Sequence, residues 1–164
     1  MKMSFIDSLL SILASNVPFA LDTVKLSTMS GLSRTTLLQY LQNLGEAHLL
    51  QLVYSDVTSV KRMQKPDKLY LENTNMLYAL NAPSVNDGTL REVFFVNQLA
   101  CGHTVEYSKT QADFTIDHQY TIEVGGKSKD GKQIAGLRHG YIASADEEYV
   151  LGNKIPLWLF GMMY

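Results

Sequence analysis

The chain has 164 residues, of which 46% are hydrophobic and 18% charged, so it has enough apolar side chains for a core and no compositional argument for disorder. Its net charge of -2 gives no sign of a nucleic-acid binder when the chain is taken as a whole. The one cysteine, Cys101, excludes an intrachain disulfide and a cysteine-based zinc site. No apolar run approaches the roughly 20 residues that span a bilayer, so we expect no membrane partner and a cytoplasmic location.

Three helices are predicted in the N-terminal part of the chain. Apolar residues recur at helical spacing from Phe5 to Leu13, which predicts the first helix. Two further helices follow, and each is preceded by a residue whose side chain can cap it, Asp22 and Ser33. Gly31 stands between them as a left-handed helix stop. The predicted bounds are Thr23–Ser30, with Val24 and Leu26 inward, and Arg34–Leu44, with Leu37, Leu38, Leu41 and Leu44 on one side.

Two short strands with a basic loop between them are predicted after the third helix. The strands are Leu49–Tyr54 and Lys68–Glu72, and the loop is Ser55–Asp67. Two helices joined by a glycine-containing turn and followed by such a hairpin are typical of a winged helix-turn-helix domain. We predict this fold for residues 1–80, which end in a connector helix, Asn73–Leu80. The alternative is a three-helix bundle with a separate hairpin.

A second domain is predicted for residues 88–164, after the linker Asn81–Gly88, which is rich in Asn, Pro, Ser and Gly. A helix, three strands, a loop, a fourth strand and an apolar C-terminal segment make it a small α/β domain, so the predicted fold class of the chain is α+β. The bounds are Thr89–Cys101 for the helix, Thr104–Tyr107, Ala112–Ile116 and Tyr120–Val124 for the strands, Gly125–Lys132 for the loop, Tyr141–Ala143 for the fourth strand and Ile155–Tyr164 for the final segment.

Polar side chains on the third helix and cations in the basic loop are the candidates for contact with DNA. Residues of the first kind can reach base edges in a major groove, and those of the second kind can bind backbone phosphate. The alternative is a solvated helix face and a charged loop, because winged helices also serve as protein–protein modules. The candidates are Arg34, Thr35, Gln39 and Asn43 on the helix, and Lys61, Arg62, Lys65 and Lys68 in and beside the loop.

Three carboxylates in the second half are candidates for metal-dependent chemistry. Asp113 and Glu123 lie on neighbouring predicted strands, which can bring them together around Mg²⁺. Such a metal ion polarises a phosphodiester and activates water. Glu92, on the preceding helix, is a third acidic candidate, and a lysine soon after Glu123 would stabilise charge on the phosphate. The alternative is exposed charge at strand ends.

Six stretches, in their order along the chain, resemble the C-terminal region of a family of uncharacterised prokaryotic AAA-type ATPases. In that family an ATPase module is followed by a winged helix and then by a domain resembling the PD-(D/E)XK nuclease fold. The resemblance implies that this chain is a fragment lacking its ATPase module, that its setting is a prokaryotic cytoplasm, and that Glu92, Asp113 and Glu123 occupy the acidic nuclease positions. The stretches are GLSRTTLLQYLQNLGEAHLL, KPDKLYLENTNMLYAL, GTLREVFFVNQL, ADFTID, YTIEVGGKSK and IPLWLFGMMY.

The chain departs from the nuclease motif at its lysine. The motif has Glu-X-Lys, but Gly125 stands two residues after Glu123, and Lys127 follows two residues later. With Lys127 as the candidate catalytic lysine, we predict an accessory ATPase region that interacts with nucleic acid and carries a degenerate or weak nuclease-like site. One alternative is an active Mg²⁺-dependent DNA nuclease that uses Glu92, Asp113, Glu123 and Lys127. The other is an interaction module that docks on the ATPase or on a second copy of itself.

Overall fold

The structure is a computed structural model that describes residues 5–15, 19–20, 22–55, 65–80, 85–108, 112–126 and 129–163. These residues form an α+β fold with two sheets, and no helix among them is long and apolar enough to cross a membrane. The elements are α1 Phe5–Ala14, β1 Phe19–Ala20, α2 Thr23–Ser30, α3 Arg34–Glu46, β2 Leu50–Val53, β3 Lys68–Leu71, α4 Thr74–Ala79, α5 Asp87–Leu99, β4 Val105–Tyr107, β5 Phe114–Ile116, β6 Tyr120–Gly125, β7 Gly140–Ser144, β8 Lys154–Pro156, and two 3-10 helices, Lys132–Ile134 and Leu157–Met162.

The N-terminal helices begin and end where the capping residues predict. The Asp22 carboxylate accepts hydrogen bonds of 3.0 Å from two backbone N–H groups in the first turn of α2. Ser33 accepts one of 3.2 Å at the start of α3, and Gly31 ends α2 with a left-handed φ of 71°. Leu26 is fully buried as predicted, but Val24 is 73% exposed. Positions two apart on a helix are rotated by about 200°, so these two side chains cannot both face the core.

A three-stranded antiparallel sheet with the order β1-β3-β2 follows the helices. Strands β2 and β3 confirm the predicted hairpin, with slightly shorter bounds. Strand β1 was not predicted, because two residues are too short to show an alternating pattern. The hairpin loop is described only at its two ends, since residues 56–64 lie outside the described part of the chain.

The second sheet has five strands in the order β4-β5-β6-β7-β8. The first three strands are antiparallel neighbours, whereas β7 and β8 each run parallel to the strand before them. The predicted fourth strand is confirmed and is longer than predicted, Gly140–Ser144. The predicted apolar segment Ile155–Tyr164 divides into the edge strand β8 and a 3-10 helix. A three-residue strand that contains a proline has little sequence signal, and proline is tolerated at a sheet edge.

Helix α5 begins at Asp87, two residues before the predicted start. Asn86 caps it, because its side-chain oxygen accepts hydrogen bonds from Gly88 N at 2.7 Å and Thr89 N at 3.4 Å. The predicted linker Asn81–Gly88 is therefore too long at its C-terminal end. Its Asn-Asp-Gly sequence is typical of a turn, but here the asparagine starts a helix.

One hydrophobic cluster runs through both halves of the chain. The ring centroids of Tyr70 in β3 and Phe114 in β5 are 6.0 Å apart, and Phe95 of α5 stacks on Phe114 at 5.3 Å. A parallel β-bridge between Tyr54 and Glu106 also links the two sheets. The halves that we predicted as separate domains are thus in direct contact, and this contact places β3 beside α5.

Candidate active site

The three predicted carboxylates lie on three elements that meet at one end of the second sheet. Glu92 is in the middle of α5, which packs against β6. Asp113 immediately precedes β5, and Glu123 lies within β6. The register of these antiparallel strands pairs Phe114 with Ile122, so the next position places Asp113 opposite Glu123. The tertiary structure therefore brings together residues that are far apart in sequence.

A hydrogen bond fixes the Asp113 side chain beside Glu123. Asp113 Oδ2 accepts a hydrogen bond of 2.8 Å from the backbone N–H of Val124, the residue that follows Glu123. A backbone donor orients a carboxylate more firmly than water does, because the donor cannot rotate away. Asp113 is thus held at the edge of β6 and is partly accessible.

Glu123 is a buried carboxylate with only one of its oxygens paired. The residue is 3% exposed. Its Oε1 lies 2.9 Å from the Nζ of Lys129, whereas Oε2 is buried without a hydrogen-bond partner. Burying a carboxylate oxygen that has no partner is costly, and such atoms mark places where a ligand, ion or water belongs.

Lys129 reaches Glu123 by passing over Gly125. A Cβ added at Gly125 would lie only 2.3 Å from Lys129 Cγ, so the lysine stem fills the space that a side chain at Gly125 would need. Gly125 stands at the position where the Glu-X-Lys motif has its lysine. The loop lysine therefore supplies the ammonium group that the strand lacks.

The surroundings of Lys129 keep its ammonium group charged. Partial burial works to lower the pKa of Lys129, but the hydrogen bond to Glu123 and the charges of Asp113, Glu123 and Glu92 outweigh it, and the pKa is raised above its ordinary value of 10.5. All three carboxylates are thus close enough to act on one lysine.

Two residues of the N-terminal sheet complete the cluster. Glu92 Oε2 accepts a hydrogen bond of 2.5 Å from the Tyr70 hydroxyl and lies 3.2 Å from Lys68 Nζ. Burial, and then the charge of Glu92, raise the pKa of Tyr70, which keeps the hydroxyl protonated as a donor. The Lys68 ammonium also lies 4.8 Å from the ring centroid of Tyr107. Lys68 is therefore shared between a carboxylate and an aromatic face.

Sequence reasoning found the three carboxylates but missed Lys129, Tyr70 and the position of Lys68. The predicted lysine, Lys127, lies outside the described residues. A signal for Lys129 is present in hindsight, because Gly125 leaves a gap that a nearby lysine can fill. Tyr70 and Lys68 could not be found from sequence, since nothing in it says that β3 packs beside α5.

The donor set fits a magnesium ion bound jointly with a substrate. Among the described residues, no group of three or more His, Cys, Asp and Glu side chains is arranged to hold a metal ion. Magnesium, however, is commonly held by one or two carboxylates together with water and substrate phosphate. The buried, unpaired Oε2 of Glu123 and the neighbouring Asp113 match that smaller requirement.

The predicted DNA-contacting residues are divided between several locations. The four on α3 are exposed, and Gln39 Nε2 donates a hydrogen bond of 3.0 Å to Asn43 Oδ1. Lys65 is also exposed. Lys68 lies in the acidic cluster instead of on the loop surface. The two remaining loop cations lie outside the described residues: Lys61 and Arg62.

Comparisons with known protein families, with curated proteins and with solved structures give no match for this chain.

Proposed function

We propose that this chain is a nucleic-acid-interacting region with a Mg²⁺-dependent, nuclease-like site made of Glu92, Asp113, Glu123 and Lys129. The observation that carries the proposal is the position of Lys129, whose ammonium group lies on Glu123 while its stem occupies the space above Gly125. A lysine beside paired carboxylates is the arrangement required to cleave a phosphodiester. The break in the Glu-X-Lys motif is thus compensated from the loop.

Each residue has a distinct role in this proposal. Asp113 and Glu123 would hold Mg²⁺, which supplies Lewis acidity and lowers the pKa of bound water. The raised pKa of Lys129 makes it a permanent cation, so it stabilises negative charge on the phosphate and does not act as a base. Glu92 is held by Tyr70 and Lys68, which makes it a positioning residue at the edge of the site.

The N-terminal part would contact nucleic acid as a winged helix. The order of α1, α2, α3 and the β2–β3 hairpin supports this fold, and the exposed polar face of α3 supports contact with a major groove. By resemblance, the complete protein would carry an AAA-type ATPase module. The site would then act as its accessory region, and the DNA would be presented by the winged helix.

A second candidate function is a region that binds partners without cleaving. It is favoured by the engagement of Glu92, whose Oε2 already has two donors, Tyr70 and Lys68. In that case the carboxylate–lysine cluster would be a structural connection between the two halves. Docking on the ATPase module or on a second copy of the chain would be its role.

Cleavage of labelled DNA in Mg²⁺ and in EDTA tests the first proposal. Metal-dependent cleavage is expected for the natural chain, with strong loss in Asp113→Asn and in Lys129→Ala. Lys132→Ala is the matched control, because that side chain is 86% exposed and lies in the same loop. Gly125→Lys combined with Lys129→Ala restores a Glu-X-Lys sequence and is expected to recover activity. Absence of cleavage by the natural chain, or equal cleavage by Asp113→Asn, would favour the second candidate.

A further inference from the structure

A groove rich in aromatic residues lies between α4, α5 and the last 3-10 helix. It encloses about 560 Å³. Tyr78, Phe94 and Trp158 line it, and Tyr78 and Trp158 are 59% and 53% exposed. Large aromatic side chains exposed together around a concavity are typical of a binding site. None of these three residues belongs to the carboxylate–lysine cluster.

The polar groups of the groove include both a donor and acceptors. Arg91 projects a guanidinium group into it, and the carboxylates of Asp87 and Asp146 lie on its walls. Arg91 Nη2 is 3.8 Å from Asp87 Oδ2. With two carboxylates for one guanidinium, the groove does not favour a phosphate group. It favours a neutral ligand that presents both amino donors and ring or carbonyl acceptors.

The groove is continuous with the candidate active site through the end of β6. Ala145, which lines the groove, donates a backbone hydrogen bond of 2.9 Å to Gly125 O. A Cβ added at Gly126 would lie 2.7 Å from Asp146 Oδ2 and 3.3 Å from Arg91 Nη1. The polar edge of the groove therefore begins one residue after Gly125, the residue over which the Lys129 stem passes.

We propose that this groove binds an unpaired nucleobase, so that the substrate of the neighbouring site is single-stranded nucleic acid. This inference rests on the function proposed above. A nucleobase has flat faces for stacking on Trp158 and Tyr78, and its edge carries amino groups for Asp146 and acceptors for Arg91. In a duplex those faces are covered by neighbouring bases, so only an unstacked base can enter.

Binding without metal tests the inference separately from cleavage. Trp158 is the only tryptophan of the chain, so its fluorescence reports on the groove. A mixed-sequence single-stranded DNA 12-mer, added in EDTA, is expected to quench it more strongly than the same strand in a duplex. By fluorescence anisotropy of the labelled 12-mer, Trp158→Ala is expected to weaken binding by about tenfold or more. Tyr78→Ala serves as a second variant of the groove.

Tyr149→Ala is the matched control, because Tyr149 is 75% exposed and does not line the groove. Unchanged affinity in both Trp158→Ala and Tyr78→Ala, or tighter binding of the duplex, would overturn the inference. Asp113→Asn separates it from the proposed function: this variant is expected to lose cleavage and keep the quenching of Trp158. Quenching by a chain that never cleaves would support the groove while removing the nuclease proposal. Cleavage with unchanged binding in the groove variants would do the reverse.

Discussion

Lys129 occupies the space that a side chain at Gly125 would fill, and its ammonium group pairs with the buried Glu123 carboxylate from there. The two residues are therefore mutually dependent. The glycine leaves room for the lysine stem, and the lysine compensates the charge of a carboxylate that is 3% exposed. The following predictions test this dependence and the contacts around it.

Gly125→Ala is expected to displace Lys129, because the new Cβ would lie 2.3 Å from Lys129 Cγ. The lysine side chain is flexible, so it moves in preference to the strand, and Glu123 then loses its partner. We expect a loss of about 1–3 kcal/mol in the free energy of unfolding, measured in urea. Gly102→Ala is the control, since the nearest atom to its added Cβ is 4.0 Å away. Equal stability of the two variants would contradict the prediction.

Lys129→Met is expected to destabilise the chain by about 1–2 kcal/mol, a reduced value because the lysine side chain is 33% exposed. Its pKa is raised in the folded state, so its stabilising contribution is fully present below pH 10.5 and disappears as the pH rises through the higher folded value. The stability difference from the natural chain should therefore stay constant from neutral pH up to 10.5.

The partner of Lys129 can be tested by a double-mutant cycle. Combining Lys129→Met with Glu123→Gln is expected to cost less than the sum of the two single changes, because neither residue then leaves an unpaired charge. Additive losses in urea unfolding would show that the contact contributes nothing to stability.

Tyr70→Phe is expected to lower stability by about 1.5–3 kcal/mol, because it removes a hydrogen bond between a buried hydroxyl and the Glu92 carboxylate. The contact joins β3 to α5, so hydrogen exchange of α5 amides should also become faster. Tyr78→Phe is the matched control, since that ring is 59% exposed. A loss of the same size in both variants would rule out a specific role for the Tyr70 hydroxyl.

Asp22→Asn is expected to alter the acid dependence of stability without removing the helix cap. The backbone hydrogen bond from Lys25, together with that from Val24, lowers the pKa of Asp22. Its ionic contribution is therefore present above pH 3.8 and is lost as the pH falls through the lower folded value. Thermal unfolding of the two chains should converge at low pH. A gap that persists in acid would contradict this assignment.

The local elements of this protein could largely be predicted from its sequence. Helix caps and stops depend on one or two residues and their immediate neighbours, so Asp22, Ser33 and Gly31 are recognisable before any fold is known. The α3 leucines and the strand patterns are equally local. Where the prediction was wrong, at Val24 and at the start of α5, the missing information was which face the core would cover.

The carboxylates Asp113 and Glu123 were predictable for the same reason, because adjacent strands of a hairpin fix their positions relative to each other. The rest of the site was decided only by tertiary structure. Lys129 reaches Glu123 because a loop folds back over Gly125, and Tyr70 reaches Glu92 because β3 packs beside α5. Sequence periodicity reports the neighbours of a residue along its own helix or strand. The partners of a long side chain at a junction depend on how those elements pack, and no local pattern records it.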